Sequence, residues 1–149
     1  MKFRIWFPII VFPIFLGSFS DRPSVDGKYN VTVKMTNIRS SKGRIQLQVY
    51  RTGQAFAAET PYKELYVSKK GLKNKTLQYT IYGLKPGTYG LALLDDENAN
   101  KKMDYGWVMP EEGFGFSDYY HTAWSKPKFN QFKFSLKENK SVLMKVRYL

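Results

Sequence analysis

Apolar and polar residues alternate with a period of two in several separate segments of this chain. Polar residues separate Val31, Val33 and Met35, and the segment from Arg44 to Val49 alternates in the same way. A period of two places successive side chains on opposite faces of a β-strand, whereas an amphipathic helix requires a period of about 3.6 residues. The pattern therefore predicts an all-β fold rather than a helical bundle.

The alternating segments divide the chain into about seven short strands. Turn-forming residues at 39–43 predict a hairpin between the first two strands, at 31–36 and 44–49. The run Gly83-Leu84-Lys85-Pro86-Gly87 predicts a turn, and the strand at 88–94 that follows it is apolar on both faces and therefore central. Further strands are predicted at 65–67, 77–82, 129–136 and 141–148, and one helical turn at 54–58. This spacing predicts an immunoglobulin-like β-sandwich.

The first twenty residues differ from the rest of the chain. Lys2 and Arg4 precede an apolar run at 5–16, and mostly small residues follow at 17–20. A positive start, a short apolar run and a small-residue cleavage site are the parts of a secretory signal peptide. The predicted organisation is a cleavable signal-peptide helix at 1–20, a short linker at 21–28 and a β-sandwich domain at 29–149.

An uncleaved membrane anchor is the alternative for this N-terminal segment. A membrane-spanning helix needs about 20 apolar residues, whereas this run is shorter and is interrupted by Pro8 and Pro13. We therefore expect no membrane span after signal cleavage. The expected location is outside the cytoplasm, in the periplasm, at the cell surface or in the extracellular medium.

The chain contains no cysteine and carries a formal net charge of +12. The absence of cysteine excludes disulfides, thiol catalysis and thiolate zinc sites, so the exported domain must be held together by its own core or by a bound metal. The positive charge favours anionic glycans or lipid headgroups as partners, and export argues against nucleic acid. Because the lysines are scattered in ones and twos, a solvated basic surface is the simpler interpretation, with a dedicated anion site as the alternative.

Residues 95–127 form a long segment with little alternation, which is typical of a functional loop. Oxygen-bearing side chains recur near its start, at Asp96, Asn98, Asn100 and Asp104. This spacing is typical of loops that wrap around calcium, and it predicts a calcium site. The loop lacks the glycine of helix–loop–helix calcium sites, where it has Lys101, and also their closing acid. The alternative is a turn whose side chains bond to its own backbone.

Three motifs in fixed order give the chain a family resemblance. They are Gly83-Leu84-Lys85-Pro86-Gly87-Thr88-Tyr89, the acidic run Asp95-Asp96-Glu97-Asn98-Ala99-Asn100 with Asp104, and Gly113-Phe114-Gly115-Phe116-Ser117. With these motifs the chain resembles domain-of-unknown-function family 2141, a family of exported bacterial proteins, from about Tyr29 to Leu149. Its members usually have glycine where this chain has Ala99 and Lys101. The resemblance implies a β-sandwich and an envelope location, and it implies no established activity.

The residues available for catalysis do not predict an enzyme. His121 is the single histidine of the sequence, so a centre built from several imidazoles is excluded. Ser117, Asp118 and His121 could be imagined as a hydrolase triad, but such triads bring together residues from separate elements. We therefore predict no catalytic residues, and a hydrolase centred on His121 is the least favoured alternative.

Aromatic residues make up 17% of the chain and are concentrated in the second half of the long loop. Rings on a rigid scaffold can stack on sugars or anchor a partner protein, whereas buried rings fill the core. The candidate ligand-binding residues are Tyr105, Trp107, Tyr119, Tyr120 and Trp124. The sequence therefore predicts a non-catalytic binding or accessory module of the bacterial envelope, with an envelope protein or a glycan as partner. A calcium-stabilised carbohydrate-binding module that uses loop 95–127 is the alternative.

Overall fold

The computed structural model describes residues 27–101 and 111–149. The described residues form the strands β1 (Tyr29–Thr36), β2 (Arg44–Tyr50), β3 (Lys63–Ser68), β4 (Leu77–Leu84), β5 (Gly87–Asp96), β6 (Gly113–Phe116), β7 (Lys133–Leu136) and β8 (Lys140–Lys145). Two short helices, α1 (Gly53–Ala57) and α2 (Phe129–Phe132), and a 3-10 turn at Lys69–Gly71 complete the elements. The all-β prediction is confirmed, and so are the helical turn near 54–58 and the turn between β4 and β5. The predicted signal peptide at 1–20 and most of the linker lie outside the described residues.

The strands form two sheets. The smaller sheet has the order β4-β1-β8, with β1 antiparallel to β4 and parallel to β8. The larger sheet has the order β3-β2-β5-β6, and β7 also pairs with β5, next to β6 along the same edge. In immunoglobulin constant domains the first two strands lie in one sheet, whereas β1 and β2 lie in different sheets here.

The predicted hairpin between the first two strands is therefore wrong. The link between them begins at Asn37, whose φ of 64° is left-handed and whose side-chain amide donates to Val146 O at 2.8 Å. The next residue, Ile38, is buried and donates its backbone N–H to Lys75 O at 3.1 Å. These contacts lead the chain from the smaller sheet to the larger one. A tight turn would have kept both strands in one sheet.

Two further expectations about the strands need correction. Residues 129–136 are not one strand, because residues 129–132 form α2 before β7 begins. The spacing of Phe129 and Phe132 places both rings on one side of the helical turn, where they are buried. The segment 95–127, expected to be a loop, contains the strand β6. Gly113 and Gly115 allow this strand to lie close to residues 145–148, where a Cβ at Gly113 would collide with the Val146 and Tyr148 side chains.

The two sheets share one hydrophobic core, and a second cluster lies on the outer face of the larger sheet. Val33 and Met35 of the smaller sheet and Leu47 and Leu91 of the larger sheet are fully buried in the core. The second cluster, called here the aromatic cluster, consists of Tyr50, Phe56, Phe116, Phe129 and Phe132. Because α1 and α2 cover this outer face, β5 is buried on both sides, and its predicted central position is confirmed. Within the described ranges, no helix is long and apolar enough to span a membrane.

Candidate functional site

The acidic loop begins where β5 ends and is organised around Asp96. The Asp96 carboxylate is fully buried and accepts hydrogen bonds from Arg44 Nε at 3.0 Å and from the backbone N–H groups of Asn100 and Lys101 at 2.9 and 3.0 Å. Asn98 Oδ1 also accepts from the N–H of Asn100, at 3.0 Å. Side chains of the loop thus bond to the loop's own backbone, and a guanidinium provides the positive charge beside the carboxylate.

This arrangement bears on the predicted calcium ligands. Asp96, Asn98 and Asn100 lie in one turn, as the sequence predicted, whereas Asp104 lies outside the described residues. Among residues 27–101 and 111–149, no group of three or more histidine and acidic side chains is placed to hold a metal ion. The calcium site remains a prediction, and the contacts of Asp96 match those expected of a self-bonded turn.

Two residues of this turn adopt backbone conformations that favour glycine. Ala99 has a φ of 61° and Lys101 a φ of 70°, both in the left-handed region. These are the two positions at which the resemblance described above expects glycine. The turn therefore retains the glycine-type backbone without the glycines. The carbonyl of Ala99 accepts a hydrogen bond from Arg44 Nη2, which helps to hold this conformation.

A buried ion pair beside the acidic loop was not predicted from the sequence. Lys69 Nζ contacts Asp95 Oδ1 and donates to Lys42 O at 2.6 Å, and both side chains of the pair are buried, with exposures of 1% and 0%. Tyr148 Oη donates to Asp95 Oδ2 and accepts from the backbone N–H of Arg39 at 3.0 Å. Burial raises the pKa of Asp95 and also that of Tyr148, because it disfavours the charged form of both groups.

The sequence contained a signal for this pair. The inward-facing residues of β5 are Tyr89, Leu91 and Leu93, and the next position in the same alternation is Asp95. An acid on the core side of a central strand needs a buried partner. The partner itself, Lys69, lies 26 positions away on a 3-10 turn of the chain and has no sequence pattern of its own.

A second, half-exposed ion pair covers the buried one. The guanidinium of Arg39 contacts Glu97 at 2.6 Å, donates to Glu111 O at 3.0 Å and lies over the ring of Tyr148 at 4.3 Å. The hydrogen bond from Arg39 lowers the pKa of Glu97. The backbone N–H of Glu97 in turn donates to Glu112 Oε1 at 3.0 Å. Glu97 thus connects the acidic loop to the segment after β1, through Arg39, and to the residue before β6, through Glu112.

The serine, aspartate and histidine of the imagined triad bond to different partners. Ser117 Oγ donates to Phe132 O at 2.7 Å and accepts from the Leu91 N–H at 2.9 Å. Asp118 Oδ1 accepts from the backbone N–H of Leu143 at 2.8 Å. His121 is buried, and its Nε2 lies 2.6 Å from the carbonyl of Ser125. These contacts are structural and do not form a nucleophile–base relay.

The aromatic residues of the long loop differ in exposure. Tyr119 is half-buried and accepts a hydrogen bond from Gln131 Nε2 at 2.9 Å. Tyr120 is exposed, with Lys145 Nζ 4.8 Å from its ring centroid, and Trp124 is 76% exposed. Tyr105 and Trp107 lie outside the described residues. Of the candidate ligand-binding residues that are described, Tyr120 and Trp124 are therefore the exposed ones, and Lys145 lies over the ring of Tyr120.

A groove lies between α1 and α2, and part of its wall directly follows the aromatic loop in the chain. This groove was not predicted from the sequence. Its volume is about 330 Å³, and it is lined by Gly53, Phe56, Ala57, Lys126, Pro127, Lys128, Phe129 and Asn130. Lys126 Nζ donates to Glu59 Oε1 at 2.8 Å and to Phe56 O at 3.2 Å, above the ring of Phe56. The groove thus has an apolar floor formed by the aromatic cluster and two lysines in its wall.

The fold and the site define a small two-sheet β-protein with a basic, apolar-floored groove beside an aromatic loop. The chain belongs to a family described as an uncharacterized protein conserved in bacteria (DUF2141), whose model matches residues 33–143. The family resemblance deduced from the three motifs is confirmed. Comparisons with curated proteins and with solved structures find no match.

Proposed function

We propose that this chain is an exported, non-catalytic binding module of the bacterial envelope, and that its ligand is an acidic glycan. The N-terminal charge and apolar run support export, and the two sheets with a shared core support a β-sandwich in the broad immunoglobulin-like class. Many domains of that class share the architecture without the same strand order, so the pairing of β1 with β8 does not argue against this assignment.

The groove between α1 and α2 carries the proposal. A floor made by Phe56 and Phe129 can contact the apolar face of a sugar ring, and Lys126 and Lys128 in its wall can pair with carboxylate or phosphate groups. The ion pair of Lys126 with Glu59 is exposed on both sides, and such pairs contribute little to stability. Lys126 can therefore exchange Glu59 for a ligand anion at small cost.

The loop that leads into the groove adds an exposed aromatic ring, and the net charge of the whole chain adds a positive electrostatic field. Trp124 precedes Lys126 by two residues and is 76% exposed, so its ring is available to stack on a sugar. The net charge of +12 attracts polyanions to the whole surface. An acidic glycan suits both features, because its sugar rings can stack on Trp124 and its acid groups can pair with the positive charges of the protein.

The test is binding of the full-length protein to alginate, a polyuronic acid, and to neutral dextran, measured by affinity electrophoresis. We expect retardation by alginate that weakens with salt, and none by dextran. Trp124→Ala should weaken binding about tenfold, equivalent to about 1.4 kcal/mol. Tyr82→Ala, which removes a ring of 71% exposure from the smaller sheet, should not change it.

A matched control variant separates the role of the lysines in the groove from the effect of the overall positive charge. Lys128→Ala should weaken alginate binding more than Lys137→Ala, which removes the same charge from the exposed turn between β7 and β8. Equal losses for the two variants would show that alginate binds to the overall positive charge, and the groove would lose its assignment. Equal affinity for dextran and alginate, or binding to neither, would contradict the choice of an acidic glycan.

A further inference from the structure

The buried pair of Lys69 and Asp95 is unusual because both groups lie inside the protein and carry opposite charges. Their side chains are 1% and 0% exposed. Removing two charges from water costs several kcal/mol for each ion, and a buried pair stabilises a protein only when its hydrogen bonds are fully satisfied. In the part of the chain that the structure describes, Asp95 Oδ1 is a buried oxygen without a partner in hydrogen-bond geometry.

The amine is therefore in contact with the carboxyl group without being aligned as a donor to Oδ1. The other oxygen, Oδ2, accepts the hydroxyl proton of Tyr148. A nucleophile is thus placed against a carboxyl group whose opposite oxygen is held by a proton donor. These are the components that amide formation requires: a nitrogen lone pair, an acyl carbon and a hydrogen bond that stabilises the oxyanion.

We propose that Lys69 Nζ and Asp95 Cγ form an intramolecular amide bond with the release of one water molecule. The ammonium first transfers a proton to Oδ1, which leaves a neutral amine and a neutral acid. The amine lone pair attacks Cγ, and the hydroxyl of Tyr148 stabilises the negative charge that develops on Oδ2. The nitrogen then gives a second proton to the Oδ1 hydroxyl, the Cγ–Oδ1 bond breaks, and water leaves. Atoms and charge balance, and no external reagent is needed.

Burial favours each step of this reaction. A buried site disfavours separated charges, so the neutral amine and acid are accessible there, as the raised pKa of Asp95 indicates. The product amide exchanges two buried charges for one neutral group. The fixed positions of both groups in a folded core replace the encounter of two molecules, which is a large part of the barrier to such reactions.

The position of the bond also gives it a structural role. Asp95 ends the core-facing side of the central strand β5, and Lys69 follows the edge strand β3. The strand β2 lies between them, with Ile45 paired to both Val67 and Asp95. The amide would therefore tie the edge of the larger sheet to its centre. In a chain without cysteine, it provides the covalent staple that disulfides supply in other exported domains.

The test is mass spectrometry of the full-length protein, expressed with its own N-terminal segment, denatured and digested with trypsin. The amide blocks cleavage after Lys69, so we expect residues 64–70 joined to residues 76–101 in one branched peptide, lighter by one water than the sum of its parts. Recovery of both segments only as linear peptides, with Lys69 cleaved normally, would overturn the proposal.

Two variants test whether the mass loss comes from this bond. Lys69→Arg keeps the positive charge without the primary amine, so its digest should contain no branched peptide. If the same mass loss persisted in this variant, it would come from dehydration at another position and the amide would be rejected. Tyr148→Phe removes the proton donor at Oδ2, and we expect a measurable unreacted fraction. Complete reaction in this variant would refute the role given to Tyr148. The digest of the unmodified chain decides the main question even if a variant does not fold.

Discussion

Ser117 fills a gap in the hydrogen bonding of the central strand, and its replacement by alanine should destabilise the protein. Along one edge of β5, β6 pairs with residues 92–95 and β7 pairs with residues 87–90. Leu91 lies between the two partners. The backbone N–H of Ser117 donates to Leu91 O at 3.1 Å, and its hydroxyl accepts from Leu91 N at 2.9 Å and donates to Phe132 O at 2.7 Å.

The magnitude follows from these contacts. The Ser117 hydroxyl is fully buried, so Ser117→Ala leaves the Leu91 N–H and the Phe132 carbonyl without this partner and without water. An unsatisfied buried polar group costs about 1–3 kcal/mol. We expect the free energy of unfolding to fall by about 2 kcal/mol, which lowers the melting temperature of a domain of this size by about 6–10 °C.

Urea unfolding followed by tryptophan fluorescence measures this loss as a shift of the midpoint at constant slope. Ser135→Ala is the control, because Ser135 is an exposed serine on the adjacent strand β7, and surface substitutions usually change stability by less than about 0.5 kcal/mol. A loss for Ser117→Ala no larger than that of the control would refute the reasoning, since it would mean that other groups satisfy the central strand.

Three further predictions concern the acidic loop. Ala99→Gly should stabilise the protein by about 0.5–1 kcal/mol, because glycine adopts the left-handed conformation of this position without strain. The control, Ala57→Gly in helix α1, should destabilise the protein by about as much. Thermal melts compare the two variants, and a destabilised Ala99→Gly variant would contradict the left-handed backbone at this position. Glu97→Gln should cost less than about 1 kcal/mol at pH 7. The hydrogen bond from Arg39 lowers the pKa of Glu97, so this difference from the parent should disappear as the pH falls through that lowered, folded-state pKa. A difference that persists after the carboxyl group is protonated would point to packing instead. Calcium should leave the melting temperature unchanged relative to chelator, since the Asp96 carboxylate already accepts two backbone N–H groups and a guanidinium. A rise of several degrees would contradict this expectation and support the predicted calcium site.

Much of the secondary structure was predictable because it depends on local features. The alternation around Val31 and Ile45 indicated strands, and the two-sided burial of residues 88–94 indicated the centre of a sheet. The strand β6 was missed inside the expected loop, and residues 129–132 were assigned to a strand although they form a helical turn. The two phenylalanines of this turn fit a strand equally well, and only the cluster that they fill on the outer face of the larger sheet favours a helical turn.

The candidate site was predictable in part. The turn formed by Asp96, Asn98 and Asn100 was expected. Whether the rings of the later part of the loop are packed or exposed was left open by the sequence, and the structure exposes Trp124. The groove was not predictable, because its walls come from two short helices that lie far apart in the chain, at 53–57 and 129–132. The partner of Asp95 was hidden for the same reason.

The sequence by itself determined most of the strands, the strand that is buried on both faces and the family to which the chain belongs. A period of two residues and a motif are local properties that need no knowledge of the rest of the molecule. Only the tertiary structure decided which strands pair, as the two separate sheets of β1 and β2 show. It also decided that Lys69 meets Asp95 and that two helices enclose a groove. Such contacts join distant parts of the chain, and they form where a shared core buries the faces of both sheets at once.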